Sequence, residues 1–107
     1  MELSELTKRI LDQAREKGWG ATPEEIDVTE KMALIHSEVS EAYEAYRKKN
    51  MDGKHGFNEE LGDIITRVLH LCGILGIDAE AEITKKLDAN ESRTWDFKAT
   101  NEKAGGA

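Results

Sequence analysis

Two acidic pairs carry the chemistry in this chain. Glu38 and Glu41 lie three apart in "IHSEVSEAYEAY", residues 35–46, and Glu60 and Asp63 lie three apart in "EELGDIITRVL". Residues three apart in a helix share a face, one turn from each other. Each pair therefore holds two like charges on one helical surface. On a wheel advancing about 100° per residue, Leu34, Glu38, Glu41 and Ala45 form a line beside an apolar stripe of Met32, Ile35, Val39, Ala42 and Tyr46. Glu60, Asp63, Arg67 and His70 form a line with the same offset from a stripe of Leu61, Ile64, Val68, Leu71 and Leu75. A shift of 22 residues lays Glu38 and Glu41 onto Glu60 and Asp63. Two helices built this way are pseudo-equivalent, and packing them antiparallel brings four carboxylates to one place.

Four carboxylates in one place repel, and burial sharpens the conflict. A divalent cation removes it. An all-oxygen ligand set without histidine or cysteine suits Mg²⁺, with Mn²⁺ as the alternative. Mg²⁺ keeps waters and takes few protein carboxylates, so its remaining positions go to phosphate oxygens. The pattern thus implies a phosphorylated ligand, most naturally a polyphosphate, with one ion clamping the chain and another activating water. The competing reading is a solvated face, since a Glu-rich helix produces E-x-x-E by chance. Gly62 and Ser40 inside the two motifs leave room for close helix approach and favour the shared ligand.

The elements that must position these groups read as helices. Leu3, Leu6, Ile10 and Ala14 share one face of a first helix over about residues 3 to 17, stopped at Gly18. Thr22 before Pro23 marks one start, and Asp27 with Glu30 three later marks another, so a short turn precedes the main helix. That second helix runs to about Lys49. The glycine-containing "NMDGKHGFN" is a loop, and Asn58 is a candidate cap for a third helix ending near Leu75, before Gly76. Asp78 caps a fourth, with Ala81, Ile83 and Leu87 inward, to about Ser92. No alternating strand pattern runs longer than a few residues. The expectation is an all-α antiparallel bundle of about four helices, one domain over 1–95, with a mobile tail over 96–107.

Composition bounds the function. The net charge of −7 argues against nucleic acid as a partner, which needs a basic face. It is compatible with a protein that collects cations. The one cysteine, Cys72, forms no internal disulfide and reads as a small core residue. With no signal-like segment and no run of 18 apolar residues, the chain is expected in the cytoplasm and off the membrane. Its apolar stripes are modest, so a second copy should cover them, giving a homodimer or homotetramer.

The segments "EKMALIHSEVSEAYEA", "EELGDIITRVLHLCGILGID" and "KKLDANESR" resemble the MazG-like, all-α nucleoside triphosphate pyrophosphohydrolases. That family's signature is E-x-x-E, a spacer, then E-x-x-D on paired helices. Here it reads Glu38-Val-Ser-Glu41 and Glu60-Leu-Gly-Asp63, followed by a K-x3-N-x2-R element at Lys86, Asn90 and Arg93. The resemblance covers about residues 28 to 93. It implies Mg²⁺-dependent hydrolysis of a nucleoside or deoxynucleoside triphosphate to the monophosphate and pyrophosphate, a nucleotide-pool cleaning activity. Glu38, Glu41, Glu60 and Asp63 would be both metal ligands and catalytic residues, one of them deprotonating the attacking water. Lys86 and Arg93 would meet phosphate, and Asn90 phosphate or sugar; cations near a helix C-terminus are their ordinary reading.

Arg67 departs from relatives that carry an aromatic there. It could pair with Asp63 or touch a phosphate. Lys31, two turns before Glu38, could reach a phosphate, with a solvated lysine as the ordinary reading. Trp19, between two glycines, could stack on a base or pack against the bundle; Trp95 offers the same two readings. His70 could be an outer partner of the acidic line, His36 reads as a surface or packed residue, and His55 in its loop is uninformative. Two further functions share the scaffold: an inert helical interaction module, and a phosphoribosyl-ATP pyrophosphohydrolase. A di-iron bundle wants E-x-x-H pairs, which neither acidic pair supplies.

Overall fold

The computed structural model describes residues 2–93, and these form four α-helices, a short 3₁₀ turn and no strand. Trp95 and the tail 96–107 lie outside the described residues. Helix α1 spans Leu3–Lys17, α2 Val28–Arg47, α3 Phe57–Leu75 and α4 Ala79–Glu91; the 3₁₀ turn is Pro23–Glu25. None of the helices described is long and apolar enough to cross a membrane.

Local chemistry explains most of the boundaries. The Asp27 carboxylate accepts from the Thr29 and Glu30 amides and starts α2. Asp78 does the same for Ala81 in α4. Helices α1 and α3 stop at Gly18 and Gly76, both left-handed. Asn58 is not the α3 cap: α3 begins one residue earlier, with Gly56 at the cap position, and the Asn58 side chain donates to Asp52 Oδ1 at 2.7 Å. The α2–α3 connection, residues 48–56, is tied down by Asn50. Its side chain accepts from the Gly53 amide at 3.2 Å, and its carbonyl accepts from Phe57 at 2.8 Å.

Helices α2 and α3 form the principal packed pair, with α1 laid against α3 and α4 against α1. The α2–α3 pair is antiparallel. Tyr46 near the end of α2 meets Phe57 at the start of α3, ring centroids 5.5 Å apart, while Glu38, two turns back, meets Arg67, nearly three turns on. Gly73 is the close-approach glycine of α3. A β-carbon there would sit 2.9 Å from both Leu11 Cδ1 and Thr7 Cγ2, so α1 lies nearer than any larger residue allows. Gly62 was expected to serve close approach but is exposed, with nothing within 4 Å of an added β-carbon.

The faces differ from expectation more than the helices do. The buried residues of α2 are Glu38, Ala42 and Ala45, and those of α3 are Glu60, Leu69, His70 and Ile74. The acidic line therefore turns inward in part: Glu38, Ala45, Glu60 and His70 are buried, while Glu41 and Asp63 stay exposed. Of the two expected core stripes, Met32, Val39, Tyr46, Leu61, Val68 and Leu75 are all exposed within the chain. Ala81, Ile83 and Leu87 of α4 are exposed too. On α2 the small Ala42 and Ala45, one from each line, are buried with Glu38, while the larger Val39 and Tyr46 stand exposed. Cys72 is half-buried. The buried apolar set among the described residues is Ala14, Ala42, Ala45, Leu69 and Ile74, and no large side chain is fully buried.

Candidate metal and nucleotide site

Antiparallel packing sets Glu38 of α2 against Glu60 and Asp63 of α3. One carboxylate oxygen from each lies within 4.8 Å of the others. Glu60 is only 3% exposed and Glu38 9%, whereas Asp63 is open to solvent. Glu38 Oε1 accepts from Arg67 Nε at 3.0 Å. Glu38 Oε2 and Glu60 Oε2 are buried without any hydrogen-bond partner. A buried acceptor left unmatched costs about 1–3 kcal/mol, and more when charged. Two such oxygens in one cluster need either a shared proton or a cation.

The protonation states follow the same logic. A hydrogen bond with Glu38, reinforced by burial and by the charges of Glu38, Glu41 and Asp63, pushes Glu60 up to about 7. Burial works to raise Glu38 as well. Hydrogen bonds from Glu60 and Arg67, together with the guanidinium charge, overcome it and hold Glu38 below the usual carboxylate range. Without a cation, then, Glu60 holds its proton more tightly than an ordinary carboxyl and Glu38 less tightly.

Glu41 stands outside the three convergent residues. It is exposed, one turn beyond Glu38. Glu41 and Glu60 line one open hollow together with Ser40, Lys48, Asn50 and His55. Glu38 and Asp63 line a second cavity of about 400 Å³ with Ile10, Trp19, Lys31 and Arg67. The acidic cluster sits where these two hollows adjoin, and its residues and donor set fit a hard divalent ion.

Three of the expected ligand-contacting residues, Lys31, Arg67 and Trp19, line the 400 Å³ cavity. Arg67 pairs across the helices with Glu38, and not with Asp63 on its own helix. Its guanidinium thus compensates a buried carboxylate and faces the cavity at once. Lys86 and Asn90 lie on α4, which buries no residue, Arg93 lies two residues past its end, and none of the three lines either hollow.

Two histidines gained roles that the residues alone did not show. His55 Nδ1 lies 3.9 Å from Glu60 Oε1, an approach that depends on the left-handed backbone of His55 itself. His70 Nε2 lies 2.8 Å from the Gly20 carbonyl, fifty residues away. Only the position of His70 on the acidic line hinted at a place near the site.

No protein-family model, no curated protein and no solved structure matches this chain.

Proposed function

We propose that this chain is a Mg²⁺-dependent nucleoside or deoxynucleoside triphosphate pyrophosphohydrolase of the MazG-like kind, acting on the cytoplasmic nucleotide pool. The observation that carries the reading is the pair of buried, unpartnered oxygens, Glu38 Oε2 and Glu60 Oε2, on adjacent helices. A merely structural acidic face would have turned them to water.

Glu38, Glu60 and Asp63 would hold the ion, with Glu41 as a fourth ligand at the cluster's exposed edge. Bound there, Mg²⁺ (or Mn²⁺) would neutralise phosphate charge and lower the pKa of a coordinated water. The chain's own residues do the rest. Arg67 and Lys31 put positive charge beside the cluster in the cavity that Trp19 also lines. They hold the polyphosphate in line and offset the charge that builds on it. Water adds to the α-phosphorus, the bond from that phosphorus to the α,β-bridging oxygen breaks, and pyrophosphate leaves with the electron pair. One of the four carboxylates receives the water's proton.

The exposed apolar stripes support a homo-oligomer. Val39 and Tyr46 on α2 and Leu61, Ile65 and Val68 on α3 lie outside a core whose buried members are mostly alanine. A second copy laid on them would complete a bundle that one chain leaves open.

The test is pyrophosphate release from a panel of ribo- and deoxynucleoside triphosphates, with phosphoribosyl-ATP included, with and without Mg²⁺. Turnover should need the metal and should fall at least a hundredfold in Glu38→Gln. Absence of turnover on every compound would leave an inert helical module as the better account.

A further inference from the structure

The segment Gly18-Trp19-Gly20 leaves α1 by a defined path. The Trp19 amide donates to the Ala14 carbonyl at 2.8 Å, which wraps the chain back over the end of α1. Gly20 is buried with φ +96°, and a β-carbon on it would lie 2.7 Å from Ile26 Cγ2, so glycine alone fits. Thr22 Oγ1 donates to Glu25 Oε1 at 2.9 Å and closes the following turn. The segment is therefore built, yet most of its hydrogen bonds are local. Its tie to α3 is the 2.8 Å contact between the Gly20 carbonyl and His70 Nε2. A carbonyl oxygen only accepts, so His70 carries its proton on Nε2 and donates. His70 is 9% exposed, and a bond made away from water is strengthened by its surroundings.

Trp19 stands next to that tie. Its ring is half exposed and lines the 400 Å³ cavity that also holds Lys31, Arg67 and the carboxylates Glu38 and Asp63. One cavity thus combines cationic groups suited to phosphate with a flat apolar ring suited to a heterocycle. An indole on a short connection is useful as a wall only if the connection is fixed.

We infer that His70 is a positioning residue for base recognition: its Nε2–H bond to the Gly20 carbonyl fixes Trp19 as the stacking wall for the heterocyclic base of a bound nucleotide. The inference rests on the nucleotide reading of the cavity and adds which part of the ligand each wall takes. His70 itself also lines this cavity, and in this account it acts through Gly20 and Trp19, not on the phosphates or the metal. Its loss should weaken recognition of the base and leave recognition of the polyphosphate alone.

The experiment uses the full chain carrying Trp95→Phe, which leaves Trp19 as its single tryptophan. Trp19 fluorescence is titrated with α,β-imido nucleoside triphosphates of the five common bases in Mg²⁺, and binding is measured in parallel by calorimetry. Inorganic tripolyphosphate, which has no base, is the comparison ligand. At least one imido nucleotide should quench Trp19. His70→Phe should weaken that ligand tenfold or more and leave tripolyphosphate within twofold of the parent. His70→Gln, which keeps a donor at similar reach, should recover most of the loss, while His70→Asn, too short to reach Gly20, should not; both keep a polar side chain should the phenylalanine variant fail to fold.

Equal nucleotide affinity in parent and His70→Asn overturns the inference, as does equal weakening of nucleotide and tripolyphosphate. Calorimetric binding without any change in Trp19 fluorescence also overturns it, while leaving the nucleotide reading intact. Calorimetric silence with every nucleotide removes the nucleotide reading itself, and the inference with it.

Discussion

Stripped of divalent cations, the protein should lose stability as pH rises from about 4.5 to about 7, and Glu60 is the reason. Its carboxyl is raised from 4.5 to about 7 in the folded chain. Between those values the native state binds a proton that the unfolded state has released. Stability then falls with rising pH, because its slope follows the unfolded minus the native proton count. Below the lower value both states are protonated and the contribution is fully present. Above about 7 both are ionised and it is gone. The window of about 2.5 pH units, at about 1.4 kcal/mol per unit, sets a ceiling of about 3–4 kcal/mol. For a domain of this size, each kcal/mol moves the melting temperature by roughly 4–8 °C. Far-UV circular dichroism melts in EDTA at fixed protein concentration should therefore show a fall of about 10–20 °C across the window. The decisive quantity is the difference from Glu60→Gln, whose curve should be nearly flat. Mg²⁺ or Mn²⁺ should remove the fall in the parent, since a cation bound only to the native state stabilises it by about 2.7 kcal/mol at a hundredfold excess over Kd. A melting temperature that is level or rises over the window, or an equal fall in Glu60→Gln, would refute the placement of Glu60 in a cation-seeking cluster.

Other parts of the structure give independent outcomes. Asp27→Ala should lower the unfolding free energy by about 1 kcal/mol through loss of the α2 cap, with Asp27→Asn costing much less, as urea midpoints would show. Gly73→Val should cost about 1–3 kcal/mol by forcing α1 off α3; an unchanged urea midpoint would contradict the 2.9 Å approach of Leu11 and Thr7. On the proposed homo-oligomer, the parent should sediment above the 12.0 kDa chain mass and Val39→Glu with Val68→Glu should bring it near that mass; a parent that already sediments as one chain would refute the oligomer, and an unchanged coefficient would place the interface elsewhere.

Helix positions were legible because they depend on nearest neighbours: the Asp27 and Asp78 caps and the Gly18 and Gly76 stops are written in adjacent residues. The meeting of Glu38 with Glu60 and Asp63 was also legible, because a shared offset and a short connection specify an antiparallel pair. Which face turned inward was not. Large apolar residues and small-plus-acidic residues run side by side on α2 and α3, and periodicity ranks the large ones as core. On α2 it is the small residues Ala42 and Ala45 that are buried with Glu38, while Val39 and Tyr46 stay exposed. Of the two partners that the sequence offered Arg67, a phosphate or Asp63 on its own helix, Asp63 is not the one it takes: it reaches across to Glu38 of α2. His70 and Gly20 could not be joined in advance. Their contact depends on where a short connection lands after three helices have packed.

The α4 residues carry the remaining tension, and it leads to a test. Lys86, Asn90 and Arg93 carry part of the sequence resemblance, yet none lines either of the two hollows beside Glu38 and Glu60. Helix α4 buries no residue, and its Ile83 and Leu87 stand about half exposed, as do the unpaired faces of α2 and α3. These facts have one common explanation if α4 and the apolar stripes meet a second copy, whose acidic cluster then receives the Lys86, Asn90 and Arg93 side chains. Two defects on different copies should complement in that arrangement. Glu60→Gln and Arg93→Ala, each inactive alone, should regain pyrophosphohydrolase activity when unfolded together and refolded as mixed oligomers, because some sites then draw an intact cluster from one copy and an intact α4 from the other. Defects confined to one chain's own site would give mixed oligomers no more active than either parent, and the match at Lys86, Asn90 and Arg93 would then have no part in catalysis.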